Sequence, residues 1–172
     1  MRMFNPLPIV LSLIASFFLA ASPAKQPAFH DRTLQQYSIA ETLPSFKMLD
    51  VDGKQVNLSD FKGKKVFLNI WATWCPPCRA ELPSIKKLYQ AANKQDAVFI
   101  MLSVDRDFSV AKNFAQQQKL GLPIYYPLEG FPPLLETSSI PVTFIFNEKG
   151  NLIKKKVGMD DYGTAGYISM FK

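Results

Sequence analysis

Phe46-Lys47-Met48-Leu49 and Gln55-Val56-Asn57-Leu58, which mix apolar and polar positions, flank Asp50-Val51-Asp52-Gly53-Lys54, which predicts a β-hairpin with glycine at its turn. Residues 59–64 read as a short turn or helical step. From 66 to 70 the chain is almost continuously apolar, as expected of a strand buried on both faces of a parallel sheet. Leu82, Ile85, Leu88 and Tyr89 then recur at spacings of three and four, which predicts a helix from Pro76 to about Ala92. Two prolines in its first turn are tolerable, because those N–H groups have no intrahelical partner. Pro83 removes a mid-helix bond and is expected to kink the helix. A second apolar strand covers 98–104, and a second helix covers 108–119 and ends at Gly121. Strand, helix, strand, helix is the order of a parallel sheet with right-handed crossovers. Residues 142–146 and 152–157 form a second predicted hairpin around Asn147-Glu148-Lys149-Gly150-Asn151. Lys154-Lys155-Lys156 on its outer strand reads as protection of a sheet edge against association. A closing helix over 162–171 is weakened by Gly163 and Gly166.

The N-terminus follows a different pattern. Arg2 and the amino group precede an apolar stretch over 9–21, broken only by Ser12 and Ser16 and followed by Ala20, Ala21, Ser22 and Ala24. Such a stretch suits the core of a signal peptide and falls short of the ~20 residues that span a bilayer. Residues 1–24 are therefore expected to be a signal peptide or an uncleaved anchor, with cleavage after Ala21 or Ala24. Residues 25–38, rich in Pro, Gln and Ala, read as a linker, and 39–172 as one domain. No cysteine follows the apolar run, which excludes a lipoprotein anchor. The product is expected in the periplasm or another compartment outside the cytoplasm.

The length, 172 residues, suffices for one domain with a proper core. Hydrophobic content of 48% with 20% charge excludes both disorder and a polytopic membrane protein. The formal charge of +6 is spread over scattered lysines without an aromatic-interleaved basic patch, so a nucleic-acid partner is not expected.

Both cysteines of the chain stand in Trp74-Cys75-Pro76-Pro77-Cys78, at the junction of the first apolar strand and the first helix. Two thiols three positions apart at a helix start can close a disulfide with little backbone movement. The first sits where backbone N–H groups and the helix dipole favour a thiolate. A structural zinc needs four ligands, and the chain offers one histidine, His30, and no second cysteine pair. A structural bridge usually closes a longer loop. The chemistry implied is thiol–disulfide exchange, with Cys75 as nucleophile and Cys78 as the resolving thiol. Pro76 and Pro77 supply no N–H to the Cys75 thiolate, which favours the disulfide form and makes the dithiol the better reductant.

With Asn69-Ile70-Trp71-Ala72-Thr73 before this motif and Ile140-Pro141-Val142-Thr143-Phe144 after it, the chain resembles the thioredoxin superfamily, most closely its TlpA/ResA-type extracytoplasmic branch. The resemblance runs from about residue 39 to 157. It implies an α/β thioredoxin fold: a central mixed sheet of four or five strands flanked by helices, with an added N-terminal hairpin. It also implies that Pro141 is cis and faces the cysteine pair, and that Trp74, Pro76, Pro77, Ile140 and Pro141 meet the substrate. Where thioredoxin itself carries a buried acid, this chain has Asn69, which cannot titrate. Glu81, three residues past Cys78 on the same helix, is the candidate replacement as proton acceptor; a solvated helix glutamate is the alternative reading.

These features point to a disulfide reductase acting on protein thiols and disulfides, apocytochrome c among the candidates. A membrane electron donor upstream, a monomer, and no cofactor or metal are expected. A thiol peroxidase of related fold would carry its single reactive cysteine after a Thr-x-x motif, and Trp74 before a Cys-x-x-Cys pair argues against it. A copper-binding module of Sco type would need Cys-x-x-x-Cys and a histidine within the fold, and neither is present.

Overall fold

A computed structural model of the protein describes residues 42–172. The expected signal segment, linker and first residues of the domain lie outside the described residues. Strands β1 (Lys47–Leu49) and β2 (Gln55–Asn57) form the N-terminal hairpin. At its turn Asp50 Oδ1 accepts the N–H groups of Asp52 and Lys54 at 3.0 and 2.9 Å, and Gly53 takes φ +80°. A single 3₁₀ turn, Leu58–Phe61, follows, capped by Asn57. Next come β3 (Lys65–Trp71), α1 (Pro76–Ala91), β4 (Ala97–Ser103), α2 (Phe108–Gln117) and β5 (Ile124–Pro127). The hairpin of β6 (Val142–Phe146) and β7 (Leu152–Val157), then α3 (Ala165–Met170), complete the chain.

All seven strands join one mixed sheet in the order β2-β1-β5-β4-β3-β6-β7. β3, β4 and β5 are parallel neighbours, so the two crossovers step the same way along the sheet. Right-handed crossovers in one direction put their helices on one face. Residues of α1, α2 and α3 accordingly share one core cluster with Phe67, Trp71, Phe99, Met101 and Ile145 of the sheet. The alternate residues Val66, Leu68, Ile70, Ile100, Leu102, Val142, Phe144 and Phe146 pack on the opposite face. There Phe46, Met48, Leu58 and Leu135, from the hairpin and the connecting segments, cover them. This two-sided burial is what the unbroken apolar runs of β3 and β4 encode.

The structure departs from expectation in two elements. Strand β5 was not legible in the sequence: it is short, and Pro123 and Pro127 bound it. It matters, because β1 pairs with β5 and thereby carries the hairpin into the main sheet. α1 matches its expected span, running from Pro76 to Ala91 with Pro83 inside it. The last helix begins at Ala165 rather than 162. Its lead-in is tied elsewhere: Ser84 Oγ accepts Tyr162 N–H at 3.1 Å, and Asp161 Oδ1 accepts Gly163 N–H at 2.9 Å. Those amides are engaged outside a helix. Among the described residues no helix is long and apolar enough to cross a membrane.

Candidate active site

β3 ends at Trp71, and α1 begins after the four-residue loop 72–75. Cys75 is the N-cap of α1, in extended conformation, and its sulfur accepts the Cys78 N–H at 3.2 Å. Pro76 and Pro77 fill the first two helical positions, so Cys78 brings the first N–H of the helix. Cys75 and Cys78 are joined as a disulfide, with Cα atoms 5.3 Å apart. Cys78 is fully buried and Cys75 is 3% exposed, so the oxidised pair lies just under the surface. Trp74, by contrast, is 65% exposed beside it. Pro76 and Pro77 are exposed as well.

The other wall comes from far along the chain. β6 is antiparallel to β3, with Val142 opposite Ile70, so β6 starts where β3 stops. The Ile140–Pro141 peptide bond just before it is cis. Cys75 Sγ lies 3.8 Å from the Ile140 carbonyl oxygen, Ile140 is half-buried and Pro141 is buried. The structure thus brings Ile140, the residue before Pro141, to the sulfur of Cys75, whose chain neighbours are Trp74 and Pro76.

Beneath the pair lies a polar layer. Cys78, Glu81, Leu82, Ile85 and Leu88 form the buried face of α1. Glu81, one turn past Cys78, is 1% exposed and lies in the helix-side core rather than in solvent. Its Oε1 accepts a hydrogen bond from Asn69 Nδ2 at 2.8 Å and its Oε2 accepts the Asp160 N–H at 3.2 Å. Burial pushes this carboxyl up from 4.5 to about 7, and the Asp160 charge adds to the rise. The two hydrogen bonds and the Lys156 charge oppose it without cancelling it.

Asn69 and Thr143 stand opposite each other on β3 and β6, and Asn69 Nδ2 also donates to Thr143 Oγ1 at 2.9 Å. The Tyr162 hydroxyl donates to the same oxygen at 2.7 Å, and burial raises its pKa. Tyr167 donates to Asp160 Oδ2 at 2.7 Å, which holds the Asp160 carboxyl below its usual range. Above the pair, Asp105 bonds the loop before Cys75 through Thr73. Thr143, Asp160, Tyr162 and Asp105 carry no site role in the sequence analysis. The usable signals were Asn69 and Thr143, polar residues in otherwise apolar strands.

A helix-capping cysteine pair over a buried carboxyl with a pKa near neutral can exchange disulfides and has a proton acceptor at hand. Comparison with known proteins gives the same chemistry. The Redoxin family model matches residues 39–167. The thiol-disulfide oxidoreductase ResA of a Bacillus cereus strain is 33% identical over 136 residues, covering 77% of this chain and 76% of that one. Among solved structures, StoA from Bacillus subtilis is 28% identical with TM-score 0.58, covering 70% of this chain and 92% of that one. The pneumococcal exposed lipoprotein thioredoxin (Etrx1) from Streptococcus pneumoniae is 29% identical with TM-score 0.60, covering 74% of this chain and 99% of that one.

Proposed function

The chain belongs to the Redoxin family, as a ResA/TlpA-like thiol–disulfide oxidoreductase of the thioredoxin superfamily, and from that premise we propose that it reduces protein disulfides outside the cytoplasm. The observation that carries the reading is the Cys75–Cys78 pair at the start of α1, with Glu81 buried one turn beyond it.

In the reduced protein the Cys75 thiolate attacks one sulfur of a substrate disulfide. A Cys75–substrate bond forms, and the other substrate sulfur leaves with the electron pair. Glu81 takes the Cys78 proton. The Cys78 thiolate then attacks Cys75 Sγ, the mixed disulfide breaks, and the second substrate sulfur is released reduced. The protein is left as the disulfide seen here, having given up two electrons. A membrane electron donor returns them.

Asn69 suits this cycle because its Nδ2 donates to the ionised Glu81. Among the described residues its Oδ1 has no hydrogen-bond partner, which leaves an acceptor for a protonated Glu81 once the amide turns over. The direction of the reaction follows from the helix start. Of its first three residues only Cys78 carries an N–H, so the Cys75 thiolate is sparsely stabilised and the dithiol gives up its electrons readily.

Trp74, Pro76, Pro77, Ile140 and Pro141 form the surface that meets the substrate protein, of which apocytochrome c is one candidate. The chain acts as a monomer. Residues 1–24 direct export or anchor the product, 25–38 form the spacer, and 39–172 the working domain; the exposed lipoprotein among the similar structures is in keeping with that location.

The test is mixed-disulfide trapping. Cys78→Ser, which cannot resolve, is expected to accumulate substrate bonded through Cys75, and Cys75→Ser to accumulate little or none. Equal trapping by both variants would overturn the assignment of roles.

A further inference from the structure

Asp105 lies two residues past the end of β4, is 4% exposed, and bonds a loop that is not its own. The Thr73 N–H points between its oxygens, 3.2 Å from Oδ1 and 3.1 Å from Oδ2. The Thr73 hydroxyl donates to Oδ1 at 2.7 Å. The Ser103 hydroxyl donates to Oδ2 at 2.8 Å, and Ser103 Oγ accepts the Asp105 N–H at 3.1 Å. One residue away, the Val104 N–H donates to the Trp71 carbonyl at 2.9 Å. Burying a carboxylate is costly unless hydrogen bonds replace water. Here the side chain takes its bonds from Ser103 and from Thr73, two residues before Cys75.

We propose that Asp105 is a positioning residue for the redox site. It fastens loop 72–75 to the end of β4, so that Cys75 keeps its place over Cys78 after the disulfide has opened. In the oxidised protein the S–S bond itself holds Cys75 against α1. In the dithiol that tie is gone, and the Thr73–Asp105 bonds, with Cys75 N–H on the Ala72 carbonyl at 3.2 Å, restrain the loop. A restrained loop keeps the effective concentration of one thiol towards the other high. The proposal rests on the thiol–disulfide reading of the pair.

The measurement is the closure equilibrium of the pair in glutathione buffers. One glutathione disulfide oxidises the dithiol, giving the Cys75–Cys78 bond and two glutathione thiols, with two electrons passing from the protein. Asp105→Ala removes every acceptor. Asp105→Asn keeps one carbonyl oxygen for Thr73, and Thr73→Val removes a single donor. The closure constant is expected to fall about tenfold in Asp105→Ala, a rise of roughly 30 mV in potential. Smaller falls are expected in Asp105→Asn and Thr73→Val. Leu135→Ala, which opens a cavity on the other face of the sheet, should lower stability and leave the constant unchanged.

A folded Asp105→Ala with the wild-type constant would overturn the proposal, as would an equal shift in Leu135→Ala. If Asp105→Ala does not fold, wild-type constants in both Asp105→Asn and Thr73→Val overturn it. Wild-type protein that does not exchange with glutathione at all would overturn the thiol–disulfide reading too, whereas normal exchange with unmoved variants sinks the positioning role alone.

Discussion

Glu81 links the chemistry of the site to the stability of the fold. In the unfolded chain its carboxyl titrates at 4.5, and in the folded protein burial moves it to about 7. Between those values the folded state holds a proton that the unfolded state has lost, so stability falls as pH rises. The contribution is complete below 4.5 and gone above about 7, and the difference amounts to roughly 3 kcal/mol. Glu81→Gln has no such titration. Its stability relative to wild type is expected to increase across that window, as read by denaturant unfolding at about pH 4 and about pH 8. Loss of the acceptor for Asp160 N–H subtracts a constant at every pH and leaves the slope alone. The same variant should resolve mixed disulfides more slowly and change the pH profile of cysteine alkylation. Superimposable alkylation curves would remove Glu81 as the proton acceptor. Cys75, Cys78 and Glu81 are legible in the sequence because they share one helix start at spacings of three. Their polar partners are not, because Thr143 reaches Asn69 across 74 positions, Asp160 reaches Glu81 across 79, and Asp105 reaches Thr73 across 32. Only the folded sheet brings them together.

At the level of elements, local periodicity identifies those whose burial is two-sided or helical. Runs 66–70 and 98–104 become β3 and β4 within a residue of their expected ends, and the spacing of Leu82, Ile85 and Leu88 becomes the inner face of α1. β5 escapes because four residues between prolines carry too short a pattern, and its place is set by β4 and β1 rather than by itself. β7 closes the sheet, and among the described residues its outer edge is free of a paired strand. Its lysines do more than carry charge. Lys154 Nζ stands 4.4 Å from the Tyr167 ring centre and Lys155 Nζ stands 5.0 Å from that of Phe144, one on each face. Replacing both by threonine keeps strand propensity and strips the edge of its charge. The double variant is expected to associate with rising concentration in light scattering while keeping its fold. A mass distribution identical to wild type would assign these lysines to ring packing and solvation alone.

For the whole molecule, one topological fact places the chemistry. The parallel strands step from β3 to β4 to β5, while β6 returns on the other side of β3, so the end of β3 lies where the order of strands reverses. Such crevices at the carboxyl ends of strands collect functional groups from distant segments. The disulfide, the Ile140–Pro141 bond and the Asp105 clamp all meet there. The central claim, that this site is built to donate electrons, is tested most directly by the equilibrium potential of the Cys75–Cys78 couple against glutathione. The account predicts a reducing couple, nearer the thioredoxin value of about −270 mV than the value of about −120 mV typical of strong disulfide donors. The disulfide should then persist in a glutathione buffer poised at roughly −200 mV. A pair that is fully reduced in that buffer would make the protein an oxidant and contradict the account.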